Sequence, residues 1–184
     1  IQPAAIDVDL LAVVAVSLST LLAVIDRQVT KASKLARASH ARLIEAIESV
    51  PQWFALFDAN DRLVICNRKY REVMSGNGAQ VQSGDFFEAI VRRTAERGDI
   101  PAAMGNVEPS MRWRLDMHRD PVSPYIQYRS SGERLQINER KTHDGGIVFI
   151  ATDITALKNA EQAAEDAKAR LADSLALVEA AKTR

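Results

Sequence analysis

The stretch from Gly145 to Ala164, "GGIVFIATDITALKNAEQAA", constrains the chain more than any other. After two glycines, Ile147-Val148-Phe149-Ile150 is β-branched and aromatic, which is strand composition. From Ala156 the same segment is rich in alanine, lysine and glutamate, all strong helix formers. Only Asp153-Ile154-Thr155 lies between them. A core strand that runs into a long polar helix without a loop gives that helix a direction set by the sheet. Asp153 suits the junction, because its carboxylate can cap a helix start and bond Thr155 or a nearby amide.

The helix predicted over residues 156–184 carries a weak heptad seam: Leu157, Ala160, Ala164, Ala167, Leu171, Ser174, Val178 and Ala181. Alanine buries little surface, so the seam predicts a marginal dimeric coiled coil. At the other end, Leu10 to Ile25 is 16 residues without a charge. As a helix it covers about 24 Å, against a hydrocarbon core of about 30 Å. Asp7 and Asp9 precede it, and Arg27, Lys31, Lys34, Arg37 and Arg42 follow, placing the C-terminal side of a membrane span in the cytoplasm. A second reading fits the 3- and 4-residue spacing of Leu11, Val14, Leu18, Leu21, Ile25 and Ala32: a soluble helix that packs on a partner. Residues 26–50 continue this helix as a linker, with Leu43, Ile44, Ile47 and Val50 as a stripe, and Pro51 stops it.

Residues 51–155 read as the globular domain. "WFALFD" and "RLVICN" are short apolar runs joined by "DAND", a tight hairpin. Asn67 suits the N-cap of a helix over Arg68–Met74. Asp85–Gly98 reads as a helix with Phe86, Ile90 and Val91 inward, and residues 108–119 as another, with Pro109 in its first turn. "YIQYRSS" and "ERLQINERKTH" form a hairpin about Gly132, and Asp144-Gly145-Gly146 turns into the last strand. Two strands, helices, then three strands predict an α+β domain: a five-stranded antiparallel sheet with helices over one face, flanked by long N- and C-terminal helices.

Composition narrows the chemistry. Equal numbers of basic and acidic residues, 24 each, argue against nucleic acid as a partner. The single cysteine, Cys66, excludes an internal disulfide, and His40, His118 and His143 lack metal-ligand spacing. No nucleophile–base pair or phosphate loop appears, so no catalytic residue is expected here. The sequence opens on Ile1 and is expected to be a fragment of a larger protein.

"AIESVPQWFALFDANDRLVICNRKYREV" together with "DGGIVFIATDITALKNAE" resembles a PAS domain over residues 42–160. That family shares the hairpin with an Asp-containing turn leading to Asn and a helix, and the closing strand that ends Asp-Ile-Thr. The resemblance implies a sensory or relay module of a bacterial signalling protein, in which Asp153 and Thr155 couple the core to a signalling helix. An ordinary helix cap satisfies the same two residues. Residues 6–27 are similar to the last helix of MHYT-type membrane sensors, whose apolar run ends in Asp-Arg.

PAS cavities hold flavin, haem, small metabolites or nothing, so the resemblance leaves the cofactor unknown. Trp53, Phe57, Cys66, Phe86 and Trp113 are the candidate cavity residues. Light-sensing flavin relatives carry a reactive cysteine directly after an Asn on a helix; here Cys66 precedes Asn67 at a strand end, which disfavours cysteine-linked flavin. The helix at 85–98 lacks a histidine, and His118, the nearest, sits in a polar stretch, which disfavours haem. Arg112 or Arg114 could meet an anionic ligand, although arginines of this kind are more often solvated. The implied partners are a second copy in a parallel homodimer and a downstream effector of the same chain, a cyclic-di-GMP synthase or phosphodiesterase or a histidine kinase. The implied location is the cytoplasmic face of the inner membrane, or the cytoplasm if residues 10–25 do not span. An inert dimerisation spacer is the rival reading.

Overall fold

The computed structural model describes residues 8–76, 78–122 and 124–182, without the side chains of residues 8–17, 20, 177–180 and 182. It divides into two units, residues 1–46 and 47–184. The first belongs to helix α1, Val8–Ser49, whose described side chains from Leu18 to Ala46 are all exposed. Among the described residues, no helix is long and apolar enough to cross a membrane. The membrane span expected over residues 10–25 is therefore unsupported. Its 16 uncharged residues fall short of a bilayer core, and charges flank them closely. The side chains of Leu11 and Val14, part of the alternative packing stripe, lie outside the described residues.

The second unit is built on a five-stranded antiparallel sheet in the order β2-β1-β5-β4-β3. The strands are β1 Trp53–Phe57, β2 Leu63–Cys66, β3 Tyr125–Tyr128, β4 Arg134–Lys141 and β5 Ile147–Asp153. Period-two alternation turns Trp53, Ala55 and Phe57, Leu135 and Ile137, and Ile147, Phe149 and Ala151 inward. Helices α2 Arg68–Ser75, α3 Phe87–Glu96 and α4 Val107–Arg119, with a 3₁₀ turn at Pro101–Ala103, supply the rest of the core. Helix α5, Thr155–Lys182, follows β5 after one residue. The α+β architecture read from the sequence is the one observed.

Local chemistry explains the element boundaries. The "DAND" turn closes because Asp58 Oδ1 accepts from the amides of Asn60 (2.8 Å) and Arg62 (2.9 Å). Asp61 takes a positive φ of 58°, tolerable for aspartate. Helix α3 begins two residues later than the expected Asp85, because Phe86 stays extended in a bridge to Arg62. Phe86 is consequently 47% exposed beneath the Arg62 guanidinium rather than inward, and Phe87 takes the core position.

Asn67 does more than start α2. Its Oδ1 accepts from the Tyr70 amide at 3.0 Å and the Phe54 amide at 3.1 Å. Its Nδ2 donates to the carbonyls of Gln52 at 2.7 Å and Val50 at 3.1 Å. One buried amide thus satisfies four backbone groups and ties the chain that leads out of α1 to both β1 and α2. At about 1 kcal/mol per net hydrogen bond, loss of these bonds in Asn67→Ala should lower the free energy of unfolding by about 4 kcal/mol. Urea unfolding of the two proteins checks this; a loss within error of zero would mean that water replaces the clamp.

Candidate functional site

Two sets of polar contacts stand out: the joint between β5 and α5, and a buried cluster beneath the sheet. At the joint, Asp153 Oδ1 accepts from the Thr155 amide at 2.9 Å and from the Thr155 hydroxyl at 2.6 Å. The hydroxyl oxygen itself accepts from the Arg134 amide on β4 at 2.8 Å, and the Ile154 amide donates to the Arg134 carbonyl at 2.9 Å. The first turn of α5 is thereby bonded across to the neighbouring strand. Hydrogen bonds from the Thr155 hydroxyl and amide, with a smaller contribution from the Lys69 charge, hold the Asp153 carboxyl below its usual range.

Lys69 brings the two ends of the domain together. Its ammonium donates to the Pro51 carbonyl at 2.9 Å and contributes to the field at Asp153. The antiparallel pairing of β1 with β5 places Trp53, where the chain arrives, opposite Ala151, where it leaves. Glu48, one residue before the end of α1, accepts from the Arg68 amide at 2.7 Å and from Arg71 Nη2 at 2.9 Å. The arriving segment is therefore pinned to the start of α2, whereas the departing helix is held to β4.

The buried cluster centres on Glu139, 1% exposed on the core face of β4. Arg114 on α4 donates to both its oxygens, at 2.7 and 3.0 Å, and His118 Nδ1 lies 2.7 Å from Oε1. An ionised carboxylate only accepts, so His118 Nδ1 carries a hydrogen. His118 Nε2 has no hydrogen-bond partner among the described residues and lies 3.8 Å from Asp61 Oδ1. Phe87 stacks on the imidazole at 3.5 Å, Phe57 meets it edge-on, and Arg114 lies over the Phe87 ring at 4.6 Å. Burial pushes the Glu139 carboxyl up, but the hydrogen bonds and charges of His118 and Arg114 outweigh burial and leave it below the usual range.

Arg114 also borders a cavity of about 140 Å³ between α3, α4, the 3₁₀ turn and β3. Of the five cavity residues expected from the sequence, only Trp113 lines it, and Trp113 stands at the mouth, 50% exposed, rather than in the core. Trp53 borders a separate void of about 20 Å³, while Phe57 is packed solid against Phe87 and His118. Cys66 is buried near Arg71, and burial pushes its thiol up, the opposite of an activated nucleophile. Phe86 lines an open surface depression with Asp61 and Leu115. Haem and flavin are several times larger than the 140 Å³ cavity and do not fit it.

Arg114, His118 and Glu139 escaped the sequence reading, which took His118 as part of a polar stretch and the arginine as solvated. The phase of each element carried the signal. Arg114 and His118 follow Met111 by three and seven residues, one helix face, and Glu139 follows Leu135 and Ile137 in strand alternation.

A family model described as PAS fold matches residues 47–162. The non-motile and phage-resistance protein of Caulobacter vibrioides is 34% identical over 146 residues. That alignment covers 78% of this chain, which spans only 16% of the relative's length. Among solved structures, a phage VqmA–DPO complex superposes at a TM-score of 0.40 with 15% identity, covering 70% of this chain and 58% of the other. The PAS domain of a Desulfitobacterium hafniense protein superposes at 0.31 with 14% identity, covering 58% and 95%.

The lowered Glu139 carboxyl makes stability pH-dependent in a defined direction. A group whose folded pKa lies below its unfolded value of 4.5 stabilises fully above that value and stops doing so as pH falls through the folded one. Glu139→Gln should therefore be clearly less stable than the parent at pH 7, and the gap should shrink below about pH 4.5. Thermal midpoints between pH 3 and 7 check it; a constant gap would show that the carboxylate charge is not what holds α4 to the sheet.

Proposed function

The chain belongs to the PAS fold family, and from that premise we propose that it relays a conformational signal from α1 through the sheet into α5, towards an effector carried by a longer parent protein. The domain's sensory or regulatory role follows from the family; the relay and its direction are our reading. The observation that carries it is the joint at Asp153, Ile154 and Thr155, where hydrogen bonds to Arg134 bind the start of α5 to β4. A helix held to two strands at its first turn has no slack, so a change in sheet shape or strand spacing must redirect it. The clamp of Asn67, Glu48 and Lys69 supports the incoming half of the same reading.

PAS domains are generally sensory rather than catalytic, and we assign the chemistry to the parent's effector, a cyclic-di-GMP synthase or phosphodiesterase or a histidine kinase. The much greater length of the Caulobacter relative supports a multidomain parent. We place the module in the cytoplasm, where nucleotide-using effectors of either kind find their substrates.

We further propose a parallel homodimer. Leu43, Leu157 and Leu171 are 61%, 56% and 62% exposed, apolar side chains on helices that flank one domain and can share a two-fold axis. Val178, a further seam position, lies outside the described side chains. Light scattering at about 100 μM should give twice the chain mass, and a monomer there would refute the dimer.

For the relay, Asp153→Ala and Thr155→Ala in the intact parent should cost about 1 kcal/mol of stability, the scale of a helix cap. Effector response should fall about tenfold, because about 1.4 kcal/mol between two helix settings changes their ratio tenfold. Asp144→Ala, in the turn before β5, is the control and should leave the response intact. Joint variants that lose stability but keep the response would reduce the pair to an ordinary cap and leave the domain as a spacer.

A further inference from the structure

We infer that the outer edge of β3 is a docking site for an extended polypeptide segment with β-branched or aromatic residues at alternate positions, which adds to the sheet as a further strand. The site goes beyond the relay and does not depend on it. An edge strand turns half of its N–H and C=O groups away from its one neighbour. The two edges of this sheet differ in what becomes of those groups. At the β2 edge, the Leu63 amide donates to the Asp85 carbonyl at 2.8 Å, and the Gly84 amide donates to the Leu63 carbonyl at 2.7 Å. The Ser83 hydroxyl donates to the Val64 carbonyl at 3.1 Å, so residues 83–85 cover that edge.

β3 is the other edge, with β4 as its neighbour. Which of its groups face outward follows from Arg134. The Arg134 amide donates to the Thr155 hydroxyl and the Arg134 carbonyl accepts from the Ile154 amide, so both groups point away from β3. Tyr128 lies opposite Arg134, and Ile126 lies opposite Gln136 in the same phase. These are the non-hydrogen-bonded pairs of the ladder, so the N–H and C=O of Ile126 and Tyr128 point to the open side. Arg129 shows the alternate phase, its amide donating inward to the Glu133 carbonyl at 2.9 Å. Next along, the outward Ser130 amide is taken by the Asp99 carbonyl at 3.0 Å. Among the described residues, nothing takes the backbone groups of Ile126 and Tyr128.

Backbone donors and acceptors at this spacing are matched by another strand, and the side chains set its character. The strand sequence, YIQY, holds neither a charge nor a proline, the residues by which sheet edges usually repel strands. Ile126 and Tyr128 are 42% and 61% exposed and border the cavity mouth together with Trp113. A β-branched and an aromatic side chain at alternate positions pair best with residues of the same kinds across the strand. A second folded copy fits less well. Stable interfaces bury about 1,200 Å² or more, and two strands of 4 residues meeting edge to edge supply far less. A flexible segment can follow the edge and lay its side chains onto Trp113.

The test uses the full chain and, as the added strand, a capped peptide with the sequence of residues 124–131. Hydrogen exchange at the Ile126 and Tyr128 amides is the readout. The expected result is saturable slowing at these amides, with Val64 at the opposite edge unchanged. The same peptide N-methylated at its isoleucine and second tyrosine should bind at least about tenfold more weakly, because the donors it offers the edge are gone. Ile126→Pro removes an outward donor without breaking a ladder bond and should abolish saturation. Tyr128→Lys, which places a charge on the edge, covers the case in which the proline variant fails to fold. No saturable slowing, undiminished binding of the methylated peptide, or undiminished binding to the folded variants would each overturn the assignment. Slowing that grows with protein concentration in the absence of peptide would overturn it as well, by making a second copy the occupant.

Discussion

A carboxylate buried among aromatic rings dictates the packing of this domain. Glu139 sits on the core face of β4 with essentially no solvent contact, a position that stays ionised only if cations reach it. Arg114 does so, and the His118 Nδ1–H adds a hydrogen bond from the next turn of the same face of α4. Because an unpaired buried charge costs several kcal/mol, this requirement fixes the register of α4 on the sheet more tightly than apolar contacts alone. Phe87 and Phe57 then pack around the imidazole, and α3 is positioned through Phe87. The cavity is what remains between α3 and α4 once that ion cluster has set their separation.

The second constraint is topological. In an antiparallel pair the start of one strand lies beside the end of its partner, so pairing β1 with β5 brings the two ends of the domain to one side. Asn67 and Lys69, at the head of α2, hold the arriving end through the Val50 and Pro51 carbonyls. The two ends of the domain are therefore neighbours across a single pair of strands.

Much of this was legible without coordinates, in proportion to how local the cause was. The hairpin turn, the Asn67 cap and the strand that runs into α5 depend on residues within a few positions of one another. Phe86 shows where local reasoning stops: both it and Phe87 fit a helix face that includes Ile90, and only the bridge of Phe86 to Arg62 decides between them. Trp113 is a candidate cavity residue by type, yet its helix spends its inner face on Met111, Arg114 and His118. Composition suggested solvent for the arginine and the histidine, whereas their spacing from Met111 puts them on the inner face of α4.

By itself, then, the sequence determined the α+β order of elements, the hairpin, the alternation that makes an inner sheet face, and the loop-free junction between β5 and α5. These follow from backbone preference and period, which act over a handful of residues. Only the tertiary structure decided that Glu139 meets Arg114 and His118 from 25 and 21 residues away, that Lys69 reaches Pro51 beside Asp153, and that the Thr155 hydroxyl accepts from Arg134. Those contacts join residues distant along the chain, and their energy comes from burial and charge pairing that do not exist until the sheet and helices have closed on one another.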